Sequence, residues 1–131
     1  MTSDSARNKA NKRKGAGFEI DVVQFLRDRH LHAERLTKTG REDEGDAVVR
    51  VHGLAVVMEA KNEKSIDLSG YMREATLEAR QWEARRIHEP QPADLVIGTA
   101  VIKRRNHSVS KSYVVMEADD FAALLLHLQG R

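Results

Sequence analysis

Three stretches of the chain repeat apolar residues at three- and four-residue steps, and four others hold short apolar, β-branched runs bounded by turn residues. Phe18, Val22 and Leu26 recur one helical turn apart and predict a helix over about residues 16–30, with those three facing the core. Leu68, Tyr71, Met72, Ala75, Ala79 and Trp82 predict a second helix from Asp67 to about Arg86, N-capped by Asp67 or Ser69. A third, over about residues 118–128, is expected to bury Phe121, Leu124, Leu125 and Leu128. Ala122 and Leu126 lie off that stripe, so this helix is apolar on more than one face and suits either a core or a dimer contact.

The runs AVVRV (47–51) and LAVVMEA (54–60) are separated by His52-Gly53, a two-residue connection with glycine where positive φ is needed, and so predict a hairpin. Two prolines, Pro90 and Pro92, follow the second helix. LVIGTAVI (95–102) and SYVVM (112–116) then read as strands joined by the basic loop KRRNHSVSK. The predicted order, α-β-β-α-β-β-α, belongs to the α/β class: a mixed β-sheet flanked by helices.

Length bounds the organisation. A chain of 131 residues has room for one domain, expected over residues 15–131, after an arm over residues 1–14 in which Arg7, Lys9, Lys12, Arg13 and Lys14 face one anion, Asp4. No cysteine is present, which excludes disulfides, thiolate zinc sites and a cysteine nucleophile. The six histidines show no metal-binding spacing. No run approaches the ~18–20 apolar residues of a membrane span, and the charged start lacks a signal peptide's apolar core. An intracellular, cytoplasmic protein with no membrane partner is expected.

The candidate chemistry lies at the end of the hairpin. If Val51 pairs with Leu54, the same register carried outward sets Asp46 opposite Glu59, and directly opposed residues share one face with Cβ atoms ~4.5–5.5 Å apart. Two carboxylates held so repel unless a cation joins them, and Mg²⁺ takes oxygen ligands of this kind. Lys61 points to the same face as Glu59 by strand alternation, beside that cation. Two acids on a metal with a lysine able to orient water and stabilise phosphate charge suit phosphodiester hydrolysis. Glu19 joins them if the first helix packs on the hairpin, as a ligand of a second cation or of metal-bound water. The competing reading is an exposed Glu59–Lys61 pair worth less than ~1 kcal/mol. Against it, both residues close a strongly apolar strand. In the run Glu42, Asp43, Glu44, a solvated loop is expected over an extra ligand.

In KGAGFE (14–19), AERLTKTG (33–40), EGDAVV (44–49) and EAK (59–61), followed by a helix and the pair VIGTAVIKRR and SYVVMEADDF, the chain resembles the PD-(D/E)xK nuclease superfamily, and within it archaeal-type Holliday junction resolvases. The resemblance spans about residues 12–121. It implies a restriction-endonuclease-like core, metal ligation by Asp46, Glu59 and the Ala60 carbonyl, Mg²⁺ or Mn²⁺ as cofactor, water activation near Lys61 and a catalytic carboxylate at Glu19. It sets Arg35 in a strand after the first helix, and Arg35 is taken as a DNA contact. Gly45 stands where many members carry proline, a change the backbone is expected to tolerate. Glu78, Gln81 and Trp82 are similar to the glutamine-bearing helix of RecB-like and VRR-type nucleases.

The expected activity is therefore metal-dependent, structure-selective DNA endonuclease action, with a Holliday junction resolvase as the leading form and a homodimer matching the two-fold character of a four-way junction. The alternatives are a RecB-like or VRR-type nuclease on flap, single-stranded or duplex DNA, and a non-catalytic DNA-binding module on the same fold. Lys12, Arg13, Lys14, Lys103, Arg104 and Arg105 are the expected phosphate contacts on branched or duplex DNA. The near balance of 22 basic against 20 acidic residues, a net +2, conceals a partition between an acidic site and these basic segments.

Overall fold

The computed structural model describes residues 17–37 and 44–130. The arm over residues 1–14, with Lys12, Arg13 and Lys14, lies outside the described residues, as do Glu42 and Asp43.

Helix α1 is seen over residues 17–28 and buries Phe18, Val22 and Val23, with Leu26 packed at the margin of the same cluster. It ends where His30 takes a left-handed conformation (φ 65°), with His30 N–H donating to the Arg27 carbonyl and Leu31 N–H reaching back to Leu26. This pattern satisfies the last free carbonyls and turns the chain out of the helix. Strand β1 (His32–Arg35) follows at once. Apolar periodicity does not reveal it, because HAER buries only Ala33. As an edge strand it needs a single inward side chain. The observed order is thus α-β-β-β-α-β-β-α, one strand more than the apolar pattern predicts.

Strands β2 (Ala47–Val51) and β3 (Leu54–Lys61) form the expected hairpin, with Val51 paired to Leu54, and His52 (φ 42°) and Gly53 (φ 81°) supplying the two positive φ angles of a tight turn. Helix α2 (Leu68–Arg85) is capped by Asp67, whose carboxylate accepts from Gly70 N–H at 3.0 Å. It carries the chain to β4 (Leu95–Ile102), which pairs parallel to β3; β5 (Tyr113–Val115) closes the sheet antiparallel to β4 after a 3-10 turn (Val109–Lys111). The result is an α/β fold with a five-stranded mixed sheet in the order β1-β2-β3-β4-β5.

The two sheet faces are buried by different helices. On one, α1 covers Ala33, Ala47, Val49, Met58 and Val101. On the other, α2 sets Ala79 and Trp82 against Val48, Ala55, Val57 and Val96, and Tyr71 against Ala100 and Ile102. Gly98 lets α2 approach β4 closely, since a Cβ there would collide with the Ala75 carbonyl. Trp82 is roofed by the guanidinium groups of Arg50 and Arg86, 4.8 and 4.4 Å from the ring centroid.

Helix α3 (Ala118–Gln129) corrects an expectation. It packs on β4, is tied to α2 by Thr76 Oγ1 donating to Glu117 (3.0 Å) and reaches the β2–β3 turn through His127 and the His52 carbonyl (3.0 Å). Yet Phe121, Leu125 and Leu128 are not buried: Phe121 is 53% and Leu128 57% exposed, and Leu124 is only half-buried. No residue of α3 is fully buried, because the helix packs on the sheet mainly at β4. Among the described residues, no helix is long and apolar enough to cross a membrane.

Candidate active site

Residues from five segments meet at one end of the sheet. Gly45 (φ 97°) turns the chain into β2 with its α-carbon so close to β3 that an added Cβ would lie 2.9 Å from Val57 Cγ1. Proline, fixed near φ −65°, cannot take this conformation, so glycine here is a requirement rather than a tolerated change. The hairpin ladder stops at Ala47–Met58, one pair short of the expected Asp46–Glu59 pair. Asp46 N–H donates to the Met58 carbonyl (2.9 Å), and the Asp46 carboxylate accepts from Ala60 N–H at 2.7 Å. The ladder ends there, with the Asp46 carboxylate bonded to Ala60 N–H, and Asp46 and Glu59 lie close enough to repel.

That repulsion is visible in protonation. Burial first, then the Glu59 charge, raise the Asp46 carboxyl to about 8 from 3.8; the Ala60 N–H opposes this and Glu19, which shares a hydrogen bond with Asp46, adds to it. Glu19 is therefore delivered to the site by α1. Its carboxylate also accepts from Arg35 Nη2 at 3.2 Å, so Arg35 is committed in part to Glu19 while remaining half-exposed. Ala60 turns its N–H, and by strand geometry its carbonyl as well, toward the Asp46 side.

Glu59 is buried, and its Oε2 has no hydrogen-bond partner. Its Oε1 lies 3.5 Å from Lys61 Nζ, so the predicted shared face is present. Lys61 is held more tightly by Glu74 of α2 (2.8 Å), with Glu63 at 4.0 Å and the Tyr71 ring 5.0 Å from the ammonium. Burial works against its charge, but the Glu74 bond, Glu59 and Glu63 outweigh it and hold its pKa above that of ordinary lysine. Lys61 is a permanent cation here, not a base.

Two carboxylates that spacing alone does not single out as ligands, Glu74 and Glu78, reach this centre one turn apart on α2. Carboxylate oxygens of Glu59, Glu74 and Glu78 lie within 4.8 Å of one another, a set able to hold a cation. The signal available in the sequence was Glu78 itself, an acid in the stripe Tyr71, Ala75, Ala79, Trp82 that faces the sheet. Glu44 departs from expectation in the other direction: it is buried and clamped by Arg86 (2.5 Å) and Arg85 (3.5 Å), a structural pair rather than a solvated loop residue or ligand.

Beside this acidic centre lies a basic one. Lys103 N–H donates to the Lys61 carbonyl (2.9 Å) where β3 and β4 end together, and a cleft of about 520 Å³ opens there between Lys64, Lys103, Arg104, Arg105 and His107. The structure thus gathers Glu19, Asp46, Glu59, Ala60, Lys61 and Arg35 and puts Lys103, Arg104 and Arg105 next to them. No family model matches the chain, and no curated protein matches its sequence.

Proposed function

We propose that this protein is a divalent-metal-dependent DNA endonuclease of the PD-(D/E)xK type, with a restriction-endonuclease-like core, that cleaves branched DNA as a homodimer in the manner of a Holliday junction resolvase. The observation that carries the reading is the meeting of half-buried Asp46 with buried Glu59: one carboxyl is forced to about 8 and the other keeps an oxygen without a hydrogen-bond partner, and Lys61 stands beside them. Acids withdrawn from water in this way fit a cation that neutralises them.

Asp46, Glu59 and the Ala60 carbonyl would hold the ion, with Glu19 at its margin. Mg²⁺ or Mn²⁺ bound there supplies Lewis acidity toward a phosphate oxygen and a more acidic bound water. The chain's own residues do the remaining work. Lys61, a fixed ammonium, stabilises charge that grows on the phosphate, and Glu74 and Glu63 hold it in place. Arg35 keeps Glu19 oriented toward Asp46. The basic cleft beside Lys61 offers the phosphate contacts that draw a strand across the centre. The apolar outer face of α3 supports the homodimer, because Phe121, Leu125 and Leu128 stay about half exposed among the described residues of the chain.

The deciding experiment compares wild type with Asp46→Asn and Glu59→Gln on junction, flap, duplex and single-stranded DNA in Mg²⁺ or Mn²⁺. Loss of cleavage with retained binding, and paired symmetric nicks on the junction, are expected. Wild-type cleavage by both variants would sink the mechanism, and a preference for flap or single strand would reassign the substrate.

A further inference from the structure

The basic cleft has a composition that phosphate binding alone does not require. Four cations and His107 line it, but so do Ile66, Ile102 and Tyr113. Ile66 is 61% and Tyr113 54% exposed, although both are large and apolar enough to be expected inside. The Arg104 guanidinium lies over the Tyr113 ring, 4.8 Å from its centroid, so a cation and an aromatic face meet at the cleft's edge. Tyr113 sits on β5, opposite Ile102 of β4, a rigid platform rather than a loop tip.

Cations and a flat apolar surface within one cleft match the phosphates and the base of a nucleotide, and a base can reach such a surface only when it has left its own helical stack. Duplex DNA offers its phosphates to cations but keeps its bases covered. Glu63, the one anion lining the cleft, is drawn away by the Tyr71 hydroxyl, which donates to it at 2.8 Å. We infer that the cleft formed by Lys64, Lys103, Arg104, Arg105, Ile66 and Tyr113 binds an unpaired nucleotide of a DNA strand, with its base on the Tyr113–Arg104 face and its phosphates on the lysines and arginines. This rests on the nuclease reading for its biological sense. It then names the substrate feature selected: an unstacked nucleotide at a branch point adjoining the scissile phosphate.

The test is equilibrium binding of the full chain to fluorescein-labelled duplex and to the same duplex carrying a short unpaired branch, read by anisotropy in EDTA so that nothing is cleaved. Wild type is expected to favour the branched probe. Tyr113→Ala should weaken the branched probe by roughly tenfold and leave the duplex unchanged, and Tyr113→Phe should restore the preference. Lys103→Ala with Arg105→Ala should weaken both probes and flatten the logarithmic salt slope by about 2. Equal affinity of wild type for both probes, or an equal effect of Tyr113→Ala on both, overturns the inference. Because the assay needs no turnover, its outcome is independent of whether Asp46→Asn abolishes cleavage.

Discussion

The Asp46 carboxylate accepts a hydrogen bond from the Ala60 amide at 2.7 Å, across the point where the β2–β3 ladder gives out. One side chain thus substitutes for a backbone pairing and brings a half-buried acid to a buried one, Glu59. The arrangement stabilises the Asp46 anion by one N–H while burial and two neighbouring acids destabilise it, and the balance favours the proton.

A pH dependence of stability follows from that balance. The Asp46 carboxyl rises from 3.8 to about 8 on folding, so its contribution to stability is complete below about 4 and is lost as pH climbs through about 8. In EDTA, urea denaturation between pH 5 and 8 should show stability falling by on the order of 1 kcal/mol per pH unit from this group. Asp46→Asn should flatten the slope, and a divalent cation, which competes with the proton, should flatten it likewise in wild type. A slope unchanged by Asp46→Asn would show that other groups set it.

Glu74 is expected to act on Lys61. Replacing it by Gln removes the charge 2.8 Å from the ammonium without removing a core side chain, since Glu74 is exposed. The Lys61 pKa, followed by NMR of its side-chain resonances, should move down toward the ordinary lysine value, and cleavage should fall about tenfold with melting temperature little changed. A Lys61 titration identical in the variant would remove Glu74 from this role.

Gly45 is expected to tolerate no side chain. Gly45→Ala meets both a φ of 97° and a Val57 methyl 2.9 Å away, so a loss of about 1–3 kcal/mol is anticipated in chemical denaturation. Metal affinity measured by calorimetry should drop with it, because Asp46 is the next residue. Retained stability together with unaltered affinity would mean that the turn relaxes freely.

The outer stripe of α3 is expected to hold two copies together. Light scattering should find a dimer for the wild-type chain, and Phe121→Asp or Leu125→Asp should convert it to a monomer with an intact circular dichroism spectrum, because neither side chain is buried within one chain. A monomeric wild type at tens of micromolar would leave the stripe without this role.

Much of this was legible in the linear sequence because it depends on local rules. Helical spacing located the three helices, the two-residue His52-Gly53 connection marked the hairpin and its Val51–Leu54 pair, and strand alternation aligned Glu59 with Lys61. Other features depend on contacts between segments distant in the chain. Strand β1 pairs Ala33 against the edge of β2, which one buried residue in four does not announce in the apolar pattern, although the family resemblance set Arg35 in a strand there. Glu74 and Glu78 enter the acidic centre only because Gly98 lets α2 lie close on the sheet. Tyr113 and Ile66 share a cleft with the basic loop only where β3 and β4 end side by side. The exposure of α3 was decided in the same way: its apolar pattern marks a helix, but how much of it is covered depends on what it packs against, here mainly β4, which no local period encodes.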